Sequence, residues 1–264
     1  MTDQISELRA TAVDMSGLMA VLSKNLYSTP NVAVRELVQN AHDSIVRRRL
    51  EDGGFSGVPG AVRVVGEPAT QTLRIIDTGA GLTEEEIHKY LAMVGSSYTS
   101  KLRRENDSGE LIGMFGLGFL SAFALSRRVT VHTTSFQQPD RGWRYRSATG
   151  ESYSVEPCAA RAVGSEIRLE LRDEYKHLAE SGVLAAVLTR YCALLGVPVY
   201  VNDSETPINA TTPPWHEDRA ENATVVALPA QLRRKRMAFA EAYEQRFHPI
   251  CTIPVESDSV RGLL

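Results

Sequence analysis

The segment from residue 31 to residue 50, NVAVRELVQNAHDSIVRRRL, constrains the fold of this chain more than any other stretch. Its apolar residues Val34, Leu37, Val38 and Ile45 recur at helical spacing. This periodicity predicts a long helix with one apolar face. We therefore expect the later part of the chain to supply a sheet on which that face packs.

The same helix carries polar residues on a second face. Glu36 and Asn40 are four residues apart and Asp43 follows three residues later, so the three side chains share a face. A carboxylate and an amide oxygen one turn apart suit a water molecule and a hard cation, and Mg²⁺ prefers oxygen ligands and keeps several waters. On these residues alone, a solvated helix face is the alternative interpretation.

The remaining pattern predicts strands and further helices in an order that indicates the fold class. Alternating apolar residues predict strands at 61–66, 72–77, 127–135, 142–148, 151–156, 165–171 and 197–201. The four strands between 127 and 171 are expected to form an antiparallel meander. Further helices are predicted at 14–26, after Thr83 with Glu86 completing a capping box, at 174–195 and at 231–247. Helices early, strands late and one crossover predict an α+β layer fold with helices on one sheet face.

An aspartate followed by two glycines ends the second predicted strand. Asp77 lies at the strand end, where a side chain faces a cleft, and Gly79 and Gly81 would let the backbone approach a flat ligand. A plain turn between strand and helix is the alternative, because Asp-x-Gly is common in turns.

A glycine-rich stretch, Gly113, Gly116 and Gly118, runs into an apolar helix. Glycines that open a helix can present free N–H groups to phosphate, and the helix dipole adds to the attraction. A dinucleotide-binding fingerprint fits poorly because a polar loop precedes the glycines, and the absence of Gly-Lys-Ser/Thr excludes a Walker A loop. Close helix packing is the other interpretation. The pair Gly164-Ser165, on its own, indicates only a strand start.

Composition narrows the classes of function. The 29 basic and 32 acidic residues give a net charge of −3, which disfavours a duplex-DNA binder, since such proteins carry a basic excess. No apolar run is long enough for a transmembrane helix, and the N-terminal residues lack the apolar core of a secretory signal. Three scattered cysteines fit neither a disulfide framework nor a metal site. We therefore expect a reducing, cytoplasmic setting.

The order and spacing of the motifs resemble the Bergerat-fold ATPases, which include gyrase, heat-shock chaperones, histidine kinases and MutL. Within that superfamily the chain is most similar to the ninety-kilodalton heat-shock chaperones, called HtpG in bacteria. The stretches that carry the resemblance are LYSTPNVAVRELVQNAHDSI, IIDTGAGLTEEEI, LIGMFGLGFLSAFALSRRVTV and GSEIRLELRDE. The resemblance implies a two-layer α+β sandwich, with a mixed, mostly antiparallel sheet and helices on one face.

The resemblance also implies roles for individual residues. Glu36 matches the general base that polarises the attacking water, Asn40 matches the Mg²⁺ ligand, and Asp77 matches the residue that accepts a hydrogen bond from the adenine amino group. Ser165 stands where the family usually has threonine and keeps the hydroxyl. The other residues implied to bind nucleotide are Asp43, Ser44, Arg47, Gly81, Leu82, Lys101, Gly113, Met114, Phe115, Gly116, Leu117, Gly118 and Phe119.

The domain organisation follows the same resemblance. It implies an N-terminal ATP-binding domain at 1–201 with an ATP lid at 95–112, a linker at 202–223 and the truncated start of a middle domain at 224–264. In the family a middle-domain arginine touches the γ-phosphate, and that region lies beyond Leu264. We therefore expect slow or negligible ATP turnover by this chain.

The implied function is that of a chaperone ATPase, with ATP or ADP and Mg²⁺ as cofactors and with nucleotide-driven lid closure and a dimer clamp for protein folding. The implied partners are client proteins and a second copy in a homodimer, and neither membrane nor nucleic acid is expected. Two alternatives stay open. One is a nucleotide-sensing module with negligible turnover, and the other is an ATPase domain of the DNA-repair or topoisomerase type.

Overall fold

Helix α1 spans Pro30–Glu51 and confirms the long helix predicted from the sequence. Proline suits the first helical turn, because its missing N–H would have no intrahelical partner there. Leu37, Val38 and Ile45 are completely buried. The apolar face of α1 therefore packs inward, as expected.

The computed structural model describes residues 30–55, 57–91, 118–193 and 195–209, and the backbone of two short strands at 254–256 and 261–263. The helices predicted at 14–26 and 231–247 and the loop predicted at 95–112 lie outside the described residues.

A seven-stranded sheet forms the second layer in the described part of the chain. Its strands are β1 (Val62–Glu67), β2 (Thr72–Asp77), β3 (Ser126–Thr134), β4 (Gly142–Ser147), β5 (Ser154–Cys158), β6 (Gly164–Leu171) and β7 (Val199–Val201). They lie in the order β5-β4-β3-β6-β2-β1-β7. Strands β1 and β7 are parallel, and all other neighbours are antiparallel. The sheet is therefore mixed and mostly antiparallel. Strands β8 (Pro254–Glu256) and β9 (Arg261–Leu263) form an antiparallel pair of their own.

The predicted four-stranded meander is wrong at its last strand. Strands β3, β4 and β5 follow one another across the sheet, but β6 returns to lie between β3 and β2. Burial explains the difference: β6 buries Leu169 and Leu171 completely, which suits a central strand, whereas β5 contains the exposed Pro157. A proline cannot donate to a neighbouring strand and is therefore confined to sheet edges.

The short helix α2, Glu84–Glu86, confirms the predicted capping box. The hydroxyl of Thr83 accepts from the backbone N–H of Glu86, and the Glu86 carboxylate accepts from the backbone N–H of Thr83. The chain continues as a π-helical turn at Ile87–Leu91. After the 3₁₀ turn Gly118–Leu120, helix α3 spans Ser121–Leu125.

The single helix predicted at 174–195 is instead two elements. A 3₁₀ helix spans Asp173–Ala179 and helix α4 spans Ser181–Cys192, with Glu180 between them in an extended conformation. A Cβ on Gly66 of β1 would lie 2.2 Å from the carbonyl oxygen of Ala179. The 3₁₀ segment thus approaches the β1 backbone closely and ends there, whereas one continuous helix was expected.

Helix α1 contacts both α3 and α4, and all three helices contact the same face of the sheet. The core between the layers includes Leu73, Val129, Tyr145 and Leu188, all of them buried. Alternate residues on the strands, such as Arg168, lie on the opposite face, which none of the described helices covers. This arrangement confirms the two-layer α+β sandwich with helices on one face. Among the described residues, no helix has both the length and the apolar character that crossing a bilayer requires.

Candidate functional site

Asp77, the last residue of β2, lies at the centre of the candidate site. Its side chain is buried between the sheet and α1, with 7% of the residue exposed. The backbone N–H of Gly79 donates to its Oδ1 atom at 2.8 Å, and the Ser44 hydroxyl donates to the same atom at 3.2 Å. Burial raises the pKa of Asp77 to about 7 against these two donors. These two donors therefore hold the carboxyl group in one position between the sheet and α1.

Ser44 joins helix α1 to the loop that follows Asp77. Its carbonyl oxygen accepts from the backbone N–H of Ala80 at 3.0 Å, and its hydroxyl lies 3.2 Å from the same nitrogen. A Cβ on Gly79 would lie 2.2 Å from the Ser44 hydroxyl oxygen. Gly79 was predicted to let the backbone approach a ligand closely. In the structure it lets α1 lie close to the loop after Asp77.

Ser165 on β6 belongs to a pair of hydroxyl groups beside Asp77. It lies directly opposite Asp77 on β2 and opposite Thr133 on β3, and its Oγ atom is 2.9 Å from Oγ1 of Thr133. The Thr133 hydroxyl can donate to the carbonyl oxygen of Gly164 at 3.2 Å and accepts from the backbone N–H of Leu82 at 2.9 Å. The single proton of Thr133 can go to the Gly164 carbonyl or to Ser165, so either hydroxyl of the pair can donate to the other.

Thr133 was not among the predicted site residues, although the sequence pattern indicates a buried hydroxyl group at this position. The run Val131, His132, Thr133 alternates as a strand, so Thr133 shares the buried face with Val131. A buried hydroxyl requires a partner, and that requirement could have drawn attention to it.

Two glycines around Asp77 have backbone conformations that other residues adopt only with strain. Gly81 has a φ of +62°, and a Cβ there would lie 2.0 Å from the Thr134 carbonyl oxygen. Gly164 has a φ of +138°, and a Cβ there would lie 2.1 Å from the Asp77 carbonyl oxygen. Both positions require glycine, and both hold the site's loops against neighbouring strands.

Arg48 is a second residue that sequence reasoning did not single out. Its Nη1 atom donates to the carbonyl oxygen of Thr78 at 3.0 Å and of Val163 at 3.4 Å. Its Nε atom donates to Asp52 at 3.0 Å, and its guanidinium carbon lies 4.2 Å from the centre of the Phe55 ring. Arg48 therefore ties together the loops that lead away from Asp77 and into Ser165.

The predicted phosphate side of the site is described in part. Asn40 on α1 lies against Gly118, because a Cβ on that glycine would be 3.0 Å from Nδ2 and 3.2 Å from Oδ1 of Asn40. The Glu36 carboxylate is half-exposed and pairs with Nη2 of Arg35 at 2.6 Å. The structure thus places the end of the glycine-rich stretch beside the polar face of α1. The predicted residues Lys101, Gly113, Met114, Phe115, Gly116 and Leu117 lie outside the described residues.

Phe119 follows Gly118 and lies in the core. Its ring contacts Phe123 and Tyr145 edge to face, with both centroids 5.8 Å away. Only 8% of the residue is exposed. Phe119 therefore fixes the chain directly after Gly118 to the core.

Asp43 and Arg47 are both buried on α1. Oδ1 of Asp43 lies 3.1 Å from Nδ1 of His42. The Arg47 guanidinium donates to Glu51 at 2.9 Å and to Glu86 of the capping box. Arg47 therefore links α1 to α2, a contact that the sequence pattern did not predict.

Within the described ranges there is no group of three or more His, Cys, Asp or Glu residues arranged to hold a metal ion. In the described part of the chain, a cation at Asn40 would have the side-chain oxygen of that residue as its ligand. This suits Mg²⁺, which usually binds through one or two protein ligands, several waters and substrate phosphates.

The sequence matches known proteins over the part of the chain that contains these motifs. Residues 27–163 match the family described as histidine kinase-, DNA gyrase B-, and HSP90-like ATPase. The chain is 33% identical over 219 residues to the chaperone protein HtpG of Chlorobium luteolum, a match that covers 79% of this chain and 35% of that protein. It is 28% identical over 245 residues to the chaperone protein HtpG of Halalkalibacterium halodurans, covering 88% of this chain and 39% of that protein.

The chain thus spans little more than a third of the length of these relatives. The family match covers more than half of the chain and contains Glu36, Asn40, Asp77 and Gly118. The chain therefore belongs to the histidine kinase-, DNA gyrase B- and HSP90-like ATPase family.

Proposed function

We propose that the chain is the ATP-binding domain of an HtpG-like molecular chaperone. The observation that carries the proposal is the buried Asp77 carboxyl group, fixed by Gly79 and Ser44 and flanked by the Ser165 and Thr133 hydroxyls. A fixed carboxylate beside hydroxyls is an acceptor suited to an exocyclic amino group, and adenine carries one. The similarity to HtpG proteins supports the same assignment.

In this proposal Asp77 accepts a hydrogen bond from the adenine amino group, and Ser165 contacts the ring through a water molecule. Gly81 and Leu82 form the backbone surface beside the base. The Leu82 N–H is already used by Thr133, so this surface is held rigidly. Such a site discriminates against guanine, which presents a carbonyl oxygen where adenine presents its amino group.

The phosphate side of the proposed site is the polar face of α1 with Gly118 and the stretch 113–117 before it. Mg²⁺ would be held by the side-chain oxygen of Asn40 together with nucleotide phosphates and water, and it would neutralise charge on the phosphates. Glu36 would orient and polarise the water that attacks the γ-phosphate. Phosphoryl transfer to water requires positioning and charge neutralisation. Glu36 would supply the positioning, and Mg²⁺ at Asn40 would supply the charge neutralisation.

Turnover by this chain is proposed to be slow. The Glu36 carboxylate pairs with Arg35 at 2.6 Å, and a carboxylate held by a guanidinium must give up that partner or share it before it can act on water. The same ion pair supports the alternative of a nucleotide-sensing module with negligible turnover. Phosphate release from ATP by the wild type and by Glu36→Ala separates the two, since a catalytic Glu36 requires that the variant lose the measured rate.

The proposal extends to the domain organisation and to a chaperone cycle. In that cycle a lid closes over the nucleotide, two copies of the protein form a clamp, and client proteins are the partners. An ATP-binding domain at 1–201 would precede a linker at 202–223 and the start of a middle domain at 224–264. Asn209 in this linker is tied back to the domain, because its side chain binds the backbones of Leu195, Val197 and Val199 at 2.8 to 2.9 Å.

Titration of the chain with ADP and GDP, with and without Mg²⁺, tests the proposed function. We expect ADP to bind at least about tenfold more tightly than GDP, because an unmatched buried acceptor costs about one hydrogen bond to a charged group. We also expect Mg²⁺ to strengthen ADP binding. Equal affinity for the two nucleotides would contradict the role of Asp77.

A further inference from the structure

The face of the sheet away from Asp77, which none of the described helices covers, contains a concavity. It has a volume of about 610 Å³ and is here termed the sheet-face pocket. Its lining residues come from three adjacent strands and are Arg128, Thr130, His132, Arg146, Arg168 and Glu170. None of these residues belongs to the candidate nucleotide site, so the pocket requires its own explanation.

The register of the strands places two arginines around one hydroxyl group. Thr130 on β3 lies directly opposite Arg146 on β4 and directly opposite Arg168 on β6. Arg168 in turn lies opposite Arg74 on β2. Like charges directly opposite each other destabilise a sheet. In this row Arg74 is neutralised by Glu67 at 3.0 Å and by Glu166 at 3.5 Å, so the positive charge that is left lies at Arg146 and Arg168.

The arginines of this face differ in whether a carboxylate neutralises them. Arg74 pairs with Glu67 at 3.0 Å, and Arg128 pairs with Glu170 at 3.3 Å. Arg146 and Arg168 are exposed and form no ion pair with any part of the chain that the structure describes. Two guanidinium groups that face one pocket are thus available to a ligand.

The charge of the pocket indicates which anion fits it. Three guanidinium groups and one carboxylate leave two positive charges. Burial and the nearby Arg161 lower the pKa of His132, so the imidazole is neutral at pH 7 and adds nothing to that charge. A phosphate monoester carries about −1.5 to −2 at this pH, whereas a single carboxylate would leave half of the charge unmatched.

We propose that the sheet-face pocket binds a dianionic phosphate group, held by Arg146 and Arg168 with the Thr130 hydroxyl between them. The planar forks of two arginines match phosphate oxygens in pairs. The phosphate belongs either to a small free compound or to a phosphorylated side chain of a partner protein. Its site is separate from the nucleotide site, because Asp77 lies on the helix-covered face of the same sheet.

Calorimetric titration of the full chain tests this proposal. The probes are inorganic phosphate, a neutral peptide with one phosphoserine, and the same peptide with glutamate in its place, all in a phosphate-free buffer without added nucleotide. The variants are Arg146→Gln, Arg168→Gln and the double variant. Arg141→Gln, an exposed arginine outside the pocket, is the matched control for the loss of one charge.

We expect a phosphate probe to bind the wild type and Arg141→Gln equally well. Each pocket variant should weaken that binding by about tenfold, the loss of one charge-assisted contact. Arg168→Lys should bind with intermediate affinity because it keeps the charge and loses the fork. Tighter binding of the phosphopeptide than of inorganic phosphate assigns the site to a partner's side chain, and the reverse order assigns it to a free compound.

Two results would overturn the proposal. One is a double variant that has the thermal stability of the wild type and binds the phosphate probes as tightly as Arg141→Gln does. The other is equally tight binding of the glutamate peptide and the phosphopeptide, which would show a surface for acidic chains and no preference for phosphate. A saturable shift of the Thr130 amide resonance on addition of the probe locates the binding independently of affinity.

Discussion

Ser44 and Asp77 are 33 residues apart in the sequence, and the hydroxyl of Ser44 donates a hydrogen bond of 3.2 Å to the Asp77 carboxylate. Ser44 is also one helical turn after Asn40 on α1. One helix therefore carries both the proposed cation ligand and a residue that fixes the proposed adenine acceptor. The spacing between the two parts of the site depends on the rigidity of α1.

Ser44→Ala should weaken this connection without unfolding the protein. The substitution removes the donor to Asp77 and an acceptor near the Ala80 N–H, at a cost of about 1–2 kcal/mol in the free energy of unfolding. Urea unfolding measures it. Ser154→Ala, at an exposed position on the edge strand β5, is the control and should change the free energy by less than about 0.5 kcal/mol. Equal effects of the two substitutions would show that the Ser44 connection contributes nothing.

Alanine at Gly81 or Gly164 should be far more damaging than alanine at Gly182. The first two residues have positive φ and would place a Cβ within 2.1 Å of a backbone oxygen, so we expect losses of about 3 kcal/mol or more in stability. A Cβ on Gly182 of α4 would meet no atom within 4 Å, and alanine there should be neutral or stabilise by up to about 1 kcal/mol. Thermal melts of the three variants rank them, and a stable Gly164→Ala protein would contradict the close approach of β6 to β2.

Arg48→Met should lower stability by about 1–2 kcal/mol and weaken ADP binding. Methionine keeps the length of the side chain and loses the donors to the carbonyls of Thr78 and Val163 and the contact of a cation with the Phe55 ring. The neighbouring Arg49 is exposed, and Arg49→Met is the matched control. If both variants bind ADP with the affinity of the wild type, Arg48 does not position the loops of the site.

The stability of the protein without nucleotide should depend on pH through Asp77. Burial raises its pKa from 3.8 to about 7, so the folded protein holds this proton more tightly than the unfolded chain does. The resulting stabilisation is complete below about pH 4 and is lost as the pH rises to about 7, a change on the order of 4 kcal/mol.

Urea unfolding at pH 5 and pH 8 measures this effect as a difference between proteins. The wild type should lose stability between these values relative to Asp77→Asn, which has no carboxyl group to titrate. Asp140→Asn, at an exposed aspartate, should follow the wild type. A wild type that follows Asp77→Asn would show that the carboxyl group titrates normally.

Local patterns were sufficient to predict the helix and strand positions of several candidate residues. The helical period placed Glu36 and Asn40 on one face of α1, and the capping residues Thr83 and Glu86 predicted the start of α2. Asp77 ends its strand as expected. These features depend on residues close in sequence, for which spacing and side-chain chemistry are enough.

The features that were missed depend on contacts between distant segments. Strand β6 returns to the centre of the sheet because of its burial, which a local alternation pattern does not report. The break at Glu180 follows from the close approach of Ala179 to Gly66. Thr133 and Arg48 acquire their roles only when β3, β6 and the loop after Asp77 meet, and no single segment of the sequence contains that arrangement.

Calorimetric titration of ADP in the presence of Mg²⁺ into the wild type and Asp77→Asn tests the proposed adenine site most directly. We predict that the wild type binds one ADP per chain and that the variant, folded and with a cooperative thermal transition, loses at least about tenfold in affinity. Asp140→Asn should bind as the wild type does. Undiminished binding by Asp77→Asn would contradict the assignment of Asp77 as the adenine acceptor, and no binding by the wild type would contradict the proposed nucleotide site itself.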